Sequence, residues 1–535
     1  MDAPANEEEQ AAKQNSTSTM STSPKVPVLI GVGDFTNHST RIEDAKEPMQ
    51  LMLDAIYNAL RDTGLPTDRW RQLQQQIDSV DVVATWSWPY SDLPGLIGEK
   101  LGAQLKHKRL SEHGGNSPGL MLHQSAARIA DGTCNVALVT GGEALGSLVA
   151  LHRAGIKDPT GWTRRPEGES SLLEKMMTGS VTAESVGSKH GVNQAIHVYP
   201  LYENALRAHR RQTYEENLLE SAKLYASFSE TASKNPAAWK LRQTAYISRG
   251  PPAGNPLLMN AFNNVNMASA CLLTSEAMAA QLGIPQDRWV YPVGGAGFEE
   301  HNDFWMRPSY HACPSVEKAI DTALDLAGMR KDELDVLDVY SCFPIVPKLV
   351  CQHLGISITN PPKPITLLGG LTSFGGAGNN YSGNRAHILK ALVAMTRELR
   401  NSNKKNGLVV ANGGFLTHEH AIILSSSAPR KFGLPLEQAH HDVSAVGVPR
   451  FTEHAEGDAV IETYTVEFNR KGHPARGCIV GRLLKDQQRF LANHGDETTL
   501  TQLASTTVEP IGRKGRVSRG SDGRNLFTFH PNSHL

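Results

Sequence analysis

Gly114-Gly115-Asn116-Ser117-Pro118-Gly119 opens a helical pattern that runs through Ile129 and stops at Asp131-Gly132. The apolar strand Asn135-Val-Ala-Leu-Val-Thr-Gly141 follows and closes on Gly141-Gly142-Glu143. The same grammar returns late in the chain. Gly375-Gly376-Ala377-Gly378-Asn379-Asn380 precedes a helical pattern from Arg385 to Leu399, a polar break, and the strand Leu408–Ala411, which closes on Gly413-Gly414. Glycine loop, helix, strand and glycine pair, twice in one order, predict an internally duplicated α/β protein, although α/β chains use such grammar often.

Short apolar runs at 26–32, 80–85 and 334–340 read as further buried strands. Helical patterns at Ile42–Thr63, Leu120–Ala130 and Val316–Ala327 lie between them. Strands alternating with helices mean a layered α/β domain. Residues 145–259 are polar and irregular, with a long charged helix around Glu203–Glu230, and predict a cap inserted over one face of the sheet. From 433 to 535 the composition changes. Val460–Phe468 alternates with period two, Gly477–Leu483 is another strand, Leu500–Ala504 is helix-like, and Asn525–Phe529 closes the series. This predicts a separate β-rich domain, an open barrel with a sheet edge on which a partner would dock.

The chain has 535 residues, enough for two to four structural units. Acidic and basic residues number 54 and 53, so no strong field recruits nucleic acid. Residues 1–25 hold no apolar run, which excludes a secretory signal and predicts a disordered tail. No stretch approaches the roughly 20 apolar residues of a membrane span. The six cysteines are scattered without a CxxC pair, arguing against a zinc ribbon or disulfide framework and for reduced, buried thiols in an intracellular protein. Ser533-His534-Leu535 resembles the tripeptide read by the peroxisomal import receptor, which makes peroxisomal targeting the expectation and the cytoplasm the alternative.

A residue at Asn116 would stand at the positive end of a buried helix dipole, where enzymes place a thiolate or a developing oxyanion. A plain turn, capped by Ser117 with Pro118 in the first turn, is the alternative. The glycines at 375, 376 and 378 leave backbone amides accessible for an oxyanion, whereas the lysine and Ser/Thr of a phosphate loop are missing. His418 and His420, in Leu416-Thr-His-Glu-His, are candidates for proton transfer or ordinary loop histidines. His-x-His without a third ligand predicts no metal. In the cap, Arg153, Lys157, Trp162, Arg164 and Arg165 combine an aromatic with arginines. That set would clasp the adenine and phosphate of coenzyme A, or else form a solvated loop.

Taken in order, five segments resemble the thiolase superfamily. Asn116–Gly119 with Gly141-Gly142-Glu143 resembles its nucleophile segment. Asn264-Val-Asn-Met-Ala-Ser-Ala resembles its ND-G-A-A strand entry, and Asp338-Val-Tyr-Ser-Cys-Phe its Asn-Glu-Ala-Phe or His-Asp-Cys-Phe motif. Gly369–Gly378 resembles the Gly-His-Pro loop, and Ala411-Asn-Gly-Gly the Cys-x-Gly turn. The likeness covers residues 26–427. With the extra C-terminal domain, the pattern is similar to thiolase-like proteins often labelled acetyl-CoA acetyltransferases. It implies a thiolase fold of duplicated αβαβα layers, with an N-terminal half at 26–144 and about 260–310, a cap at 145–259, and a C-terminal half at 311–427. It also implies a coenzyme A thioester as substrate or ligand rather than a resident cofactor, a place in lipid metabolism, and a possible homodimer.

The resemblance also implies losses. The acylated Cys falls on Asn116, its activating His on Gly376, the second Cys on Ala411, and the Asn or His of the fourth motif on Tyr340. An amide accepts no acyl group, and glycine and alanine move no protons. The implied pocket, with Asn116, Ser117, Gly375, Gly376, Ala411 and Gly413 binding substrate, would lack the covalent route. His420, His418, Tyr340 and Cys342 remain as candidates for chemistry, with Cys342 also readable as a structural thiol. Two functions are therefore expected: an acyltransferase homologue limited to non-covalent or C–C bond chemistry, or a catalytically silent binding or scaffold protein.

Overall fold

The computed structural model describes residues 25–171, 174–175, 185–239, 261–376, 385–429, 441–442 and 447–530. Residues 1–24, Ala377–Asn380 of the second glycine loop, and Ser533-His534-Leu535 lie outside the described residues.

In the first half, β1 (Pro27–Thr36), α1 (Pro48–Asp62), β2 (Ile77–Val83), β3 (His107–Leu110), α2 (Ser117–Ala130) and β4 (Val136–Ala144) precede the cap helices α3 (Ala195–His209) and α4 (Tyr214–Ser233), and β5 (Asn266–Ser275) follows them. The strands form one sheet in the order β1-β5-β4-β2-β3. The second half runs β6 (Tyr291–Glu299), α5 (Pro314–Ala327), β7 (Val336–Val339), α6 (Arg385–Asn401), β8 (Asn406–Gly413), β9 (His418–Ser425) and β10 (His441–Asp442). Its sheet has the order β10-β6-β9-β8-β7. Parallel β2·β4 corresponds to parallel β7·β8, and antiparallel β4·β5 and β5·β1 correspond to β8·β9 and β9·β6. Helices α2 and α6 pack between the sheets, with α1 and α5 on the outer faces. This is the expected duplicated five-layer arrangement.

Local chemistry explains most boundaries. The first helix starts at Pro48 and not at Ile42, because proline suits the first helical position, where its missing N–H costs nothing. The second half begins earlier than 311, since β6 belongs to the second sheet. Its sequence, Tyr-Pro-Val-Gly-Gly-Ala-Gly-Phe-Glu, reads as a loop, but the glycines admit α5: a Cβ at Gly294 would lie 2.2 Å from the Ala323 carbonyl oxygen. The single charged helix expected around Glu203–Glu230 is two helices. Arg211 takes a positive φ of 56°, and Thr213 with Glu216 forms a capping box that starts α4. Among the described residues, 185–239 of the cap are mostly helical and not irregular.

Lys348, in the helix Ile345–Leu354, latches the cap to the second half. Its Nζ lies 2.5 Å from Glu203 Oε1 of α3, and 2.7 Å from Asn217 Oδ1 and 3.4 Å from Glu220 Oε2 of α4. The lysine side chain is wholly buried. Lys348→Met would leave Glu203 without its cation beside a Glu220 that keeps only Arg210, and should cost about 1–3 kcal/mol in urea unfolding. Faster proteolysis within 195–233 at unchanged far-UV dichroism would show that the loss sits at the cap.

The remaining strands, β11 (Gly457–Phe468), β12 (Pro474–Leu483), β13 (Arg489–His494), β14 (Lys514–Arg519) and β15 (Asn525–Phe529), form a barrel, with helix α7 (Glu497–Leu503) against it. The barrel is closed, not open: β14 pairs back onto β11 over Gly457–Val460. Closure removes the free sheet edge on which partner docking was expected. Nor is the barrel a separate unit. Thr463 Oγ1 donates to the Leu201 carbonyl at 2.5 Å, Asn204 Nδ2 donates to the Tyr464 carbonyl at 2.9 Å, and the wholly buried Arg489 reaches the 305–308 segment. No helix among the described residues is long and apolar enough to cross a membrane.

Candidate functional site

Asn116, with φ −73° and ψ −22°, is the residue that caps α2, yet its side chain makes no capping bond. Ser117 is the first helical residue and not the cap; its hydroxyl donates to the Glu112 carbonyl at 3.1 Å. Pro118 sits in the first turn as expected. The Asn116 side chain is buried in a slot between two glycines, since a Cβ at either Gly114 or Gly413 would lie 2.3 Å from its Oδ1. The start of α2 and the end of β8 therefore meet here, and both need glycine to do so.

A Gly413→Ala substitution should displace the Asn116 amide and destabilise the protein by about 1–3 kcal/mol. Asn116→Gly/Gly413→Ala should recover most of that loss. A double-mutant cycle in urea with no coupling between the two positions would contradict this packing.

Gly119 and His123 follow Asn116 on the same face of α2, three and seven residues on. The missing side chain at Gly119 admits the His420 ring, because a Cβ there would lie 3.1 Å from His420 Cδ2. His420 stands in β9, directly opposite Ala411 of β8, and its Nε2 lies 3.3 Å from Nδ1 of His123. Both rings are buried. Burial lowers the pKa of His123 to about 4, so that ring is neutral at physiological pH. Its Nε2 has no hydrogen-bond partner among the described residues.

His418 and His420 are thus strand residues and not loop residues. They have different neighbours. His418 stands at the rim, with Nε2 3.3 Å from Glu299 Oε1 and Nδ1 2.9 Å from Thr417 Oγ1. Tyr340 follows β7 and donates its backbone N–H to the Val410 carbonyl at 3.0 Å. Its ring is buried in the central cluster with Leu371, Phe374 and Ala411. Cys342 lies beside Asn412, with Sγ 3.5 Å from Nδ2, and Asn412 donates to the Tyr199 hydroxyl at 3.0 Å. Burial pushes the Cys342 thiol up to about 12, which leaves little thiolate at neutral pH.

The segment 369–376 turns through positive φ at Gly369 (99°), Gly370 (71°) and Gly375 (100°). Asp338 anchors its start, accepting from the amides of Leu367 at 2.7 Å and Leu368 at 3.2 Å. Burial raises the Asp338 carboxyl to about 6 against the pull of those amides. The Gly376 amide, expected to stay accessible for an oxyanion, instead donates to the Phe262 carbonyl at 2.8 Å.

In the cap, Trp162 packs edge-on to Trp88 with ring centroids 4.8 Å apart, and the Arg165 guanidinium lies 4.1 Å above the Trp88 ring. Arg165 also pairs with Glu174 at 2.7 Å. Arg153, Lys157 and Arg164 are exposed. The structure thus gathers two of the five cap residues around a tryptophan that the sequence reading did not single out. His123, Tyr199 and Asn412 were missed as well. For His123 a signal existed, in its helical spacing from Asn116. What the central arrangement offers chemistry is a helix N-terminus, a buried amide and a neutral imidazole contacting a second ring. It offers no reactive thiolate.

Residues 438–523 match the family model of the thiolase-like protein type 1 additional C-terminal domain. No curated protein matches the sequence. Among solved structures, a monomeric SCP2-thiolase like protein type 1 from Mycobacterium smegmatis superposes with a TM-score of 0.76 at 28% identity, over 95% of this chain and 100% of that one. An Ltp2–ChsH2(DUF35) aldolase gives 0.55 at 16% identity, over 77% and 100%. Human mitochondrial 3-ketoacyl-CoA thiolase in complex with CoA gives 0.52 at 16% identity, over 76% and 98%. The chain thus has the thiolase fold, and its residues 438–523 match the additional C-terminal domain of type 1 thiolase-like proteins.

Proposed function

We propose that this protein binds a coenzyme A ester and that Asn116 stands where thiolases carry their acylated cysteine. Any chemistry is then non-covalent, such as forming or breaking a C–C bond while the α2 N-terminus stabilises developing negative charge. The observation that carries this reading is the Asn116 slot: a helix N-terminus in the central layer, closed by Gly114 and Gly413 around an amide that cannot be acylated. His420, on the same face and in contact with the neutral His123, is the proposed proton carrier. The fold is shared with a protein named an aldolase and with a thiolase holding CoA, so both the chemistry and the ligand are within its reach. The relative that covers nearly the whole chain is a monomer, which favours a single chain over a homodimer as the working form.

A catalytically silent coenzyme A-ester binder is the second reading, favoured by the half-buried, scarcely ionised Cys342. Mixing the protein with acetyl-CoA should release no stoichiometric burst of CoA, while acyl-CoA should raise the melting temperature. A burst with an isolable acyl-enzyme would overturn both readings, and so would indifference to every acyl-CoA. Turnover that falls in His420→Ala selects the enzyme; stabilisation without turnover selects the binder.

A further inference from the structure

Beneath the end of β1, between that strand, α6 and the segment after α4, lies a cavity of about 440 Å³. That volume suits a small molecule. None of the residues at the Asn116 slot lines it. On one wall Asp34 and Thr36 of β1 meet Lys390 and Arg397 of α6. The Lys390 side chain is only 1% exposed. Its ammonium donates to Thr36 Oγ1, stands 3.5 Å from Asp34 Oδ2, and lies 5.2 Å from the centroid of the Phe374 ring. Arg397 Nη1 takes the other oxygen of Asp34 at 2.6 Å.

One carboxylate thus serves two cations. Among the described residues that line the cavity Asp34 is the one carboxylate; His38 lines it too, and burial followed by the Lys390 charge lowers its pKa. The other wall is apolar, with Leu368, Phe374 and Val393. Burial also draws the Lys390 ammonium down to about 8 against the opposing pull of Asp34. Two cations sharing one carboxylate beside an apolar volume can recognise an anion with a hydrocarbon part.

We propose that this cavity is a second ligand site, for a small organic anion whose carboxylate or phosphate lies between Lys390 and Arg397 and whose chain runs along Leu368 and Phe374. Both apolar contacts belong to the 367–376 segment that ends at Gly375-Gly376, so a bound anion also braces the strand-to-helix connection of the second half.

Calorimetric titration of the full chain with hexanoate, hexyl phosphate and the uncharged hexan-1-ol tests it. At least one anion should bind and the alcohol should not, with hexanoate against hexyl phosphate telling which acid the site takes. Arg397→Gln, at a side chain 41% exposed and safe for folding, should weaken anion binding about tenfold. Lys390→Met should abolish it, and Asn116→Ala should leave it unchanged. The proposal is overturned if neither anion binds, if hexan-1-ol binds as well as they do, if Arg397→Gln binds like the wild type, or if Asn116→Ala removes the binding. Should Lys390→Met fail to fold, Arg397→Gln and Asn116→Ala decide the matter without it.

Discussion

Arg489→Met should destabilise the protein by about 3–5 kcal/mol at pH 7, as expected when one partner of a buried ion pair is removed and the other is left behind. Arg489 is 0% exposed. Its guanidinium holds Glu462 with two bonds, Nε to Oε2 at 2.9 Å and Nη2 to Oε1 at 2.6 Å. It also donates to the carbonyls of Trp305, at 2.9 Å, and Arg307, and lies 5.0 Å from the Tyr310 ring centroid. One side chain therefore joins β13 and β11 of the barrel to the 305–308 segment of the thiolase body. Methionine fills a similar volume but satisfies none of these acceptors.

The effect has a pH signature. Burial alone would raise the Glu462 carboxyl, yet the bonds and charge of Arg489, and then those of Arg482, hold it below its usual range. A depressed carboxyl contributes stability above its unfolded pKa and loses it as the pH falls through the folded pKa. In Arg489→Met that contribution shrinks and Glu462 protonates more readily. The gap between variant and wild type should therefore narrow from pH 7 towards pH 4. Arg489→Lys should recover only part of the loss, since an ammonium keeps the charge without the planar fork. Urea titrations at several pH values provide the measurement. A gap that is constant with pH would mean that the lost backbone contacts, and not the ion pair, carry the effect.

How the barrel is seated shows why only part of the fold is legible in the sequence. β4, β8 and the helices between the sheets announce themselves locally, because strands covered on both faces are continuously apolar and α2 and α6 begin after glycine loops. β14, with Lys514, Arg516 and Arg519 along it, looks like a surface loop. Its identity comes from pairing with β11 and β15, contacts that are distant in sequence. β6 is hidden for the same reason, since its glycines answer to α5.

The candidate site follows this division. Asn116 and Gly413 are placed by the order of motifs, and the structure adds that they touch. His418 and His420 look like loop residues because Thr-His-Glu-His is polar. Buried in β9, His420 meets His123, while Glu419 faces away into the field of Glu300 and Arg307. Burial, then the Glu300 charge, raises the Glu419 carboxyl well above its usual value, with Arg307 opposing. Long-range compensation of this kind leaves no mark on a local pattern.

His123 gives the second large effect, and it is a slope. The ring has an ordinary pKa of 6.5 and is held at about 4 in the fold by burial. Above pH 6.5 it is neutral in both folded and unfolded chains and adds no pH dependence. Between about 6.5 and 4 the unfolded chain takes up a proton that the folded chain refuses, so stability falls as the pH falls; below about 4 both states hold the proton and this slope ends. The full span corresponds to about 3 kcal/mol. His123→Gln cannot titrate but can still hydrogen-bond to His420, and should flatten that part of the profile while changing stability little at pH 7.5. If the two proteins lose stability in parallel between pH 6.5 and 4.5, His123 is not the group held neutral. The same experiment bears on mechanism. A His123 that stays neutral lets His420 carry a proton without a second positive charge beside it, and His123→Gln should then shift the pH dependence of any turnover without abolishing it.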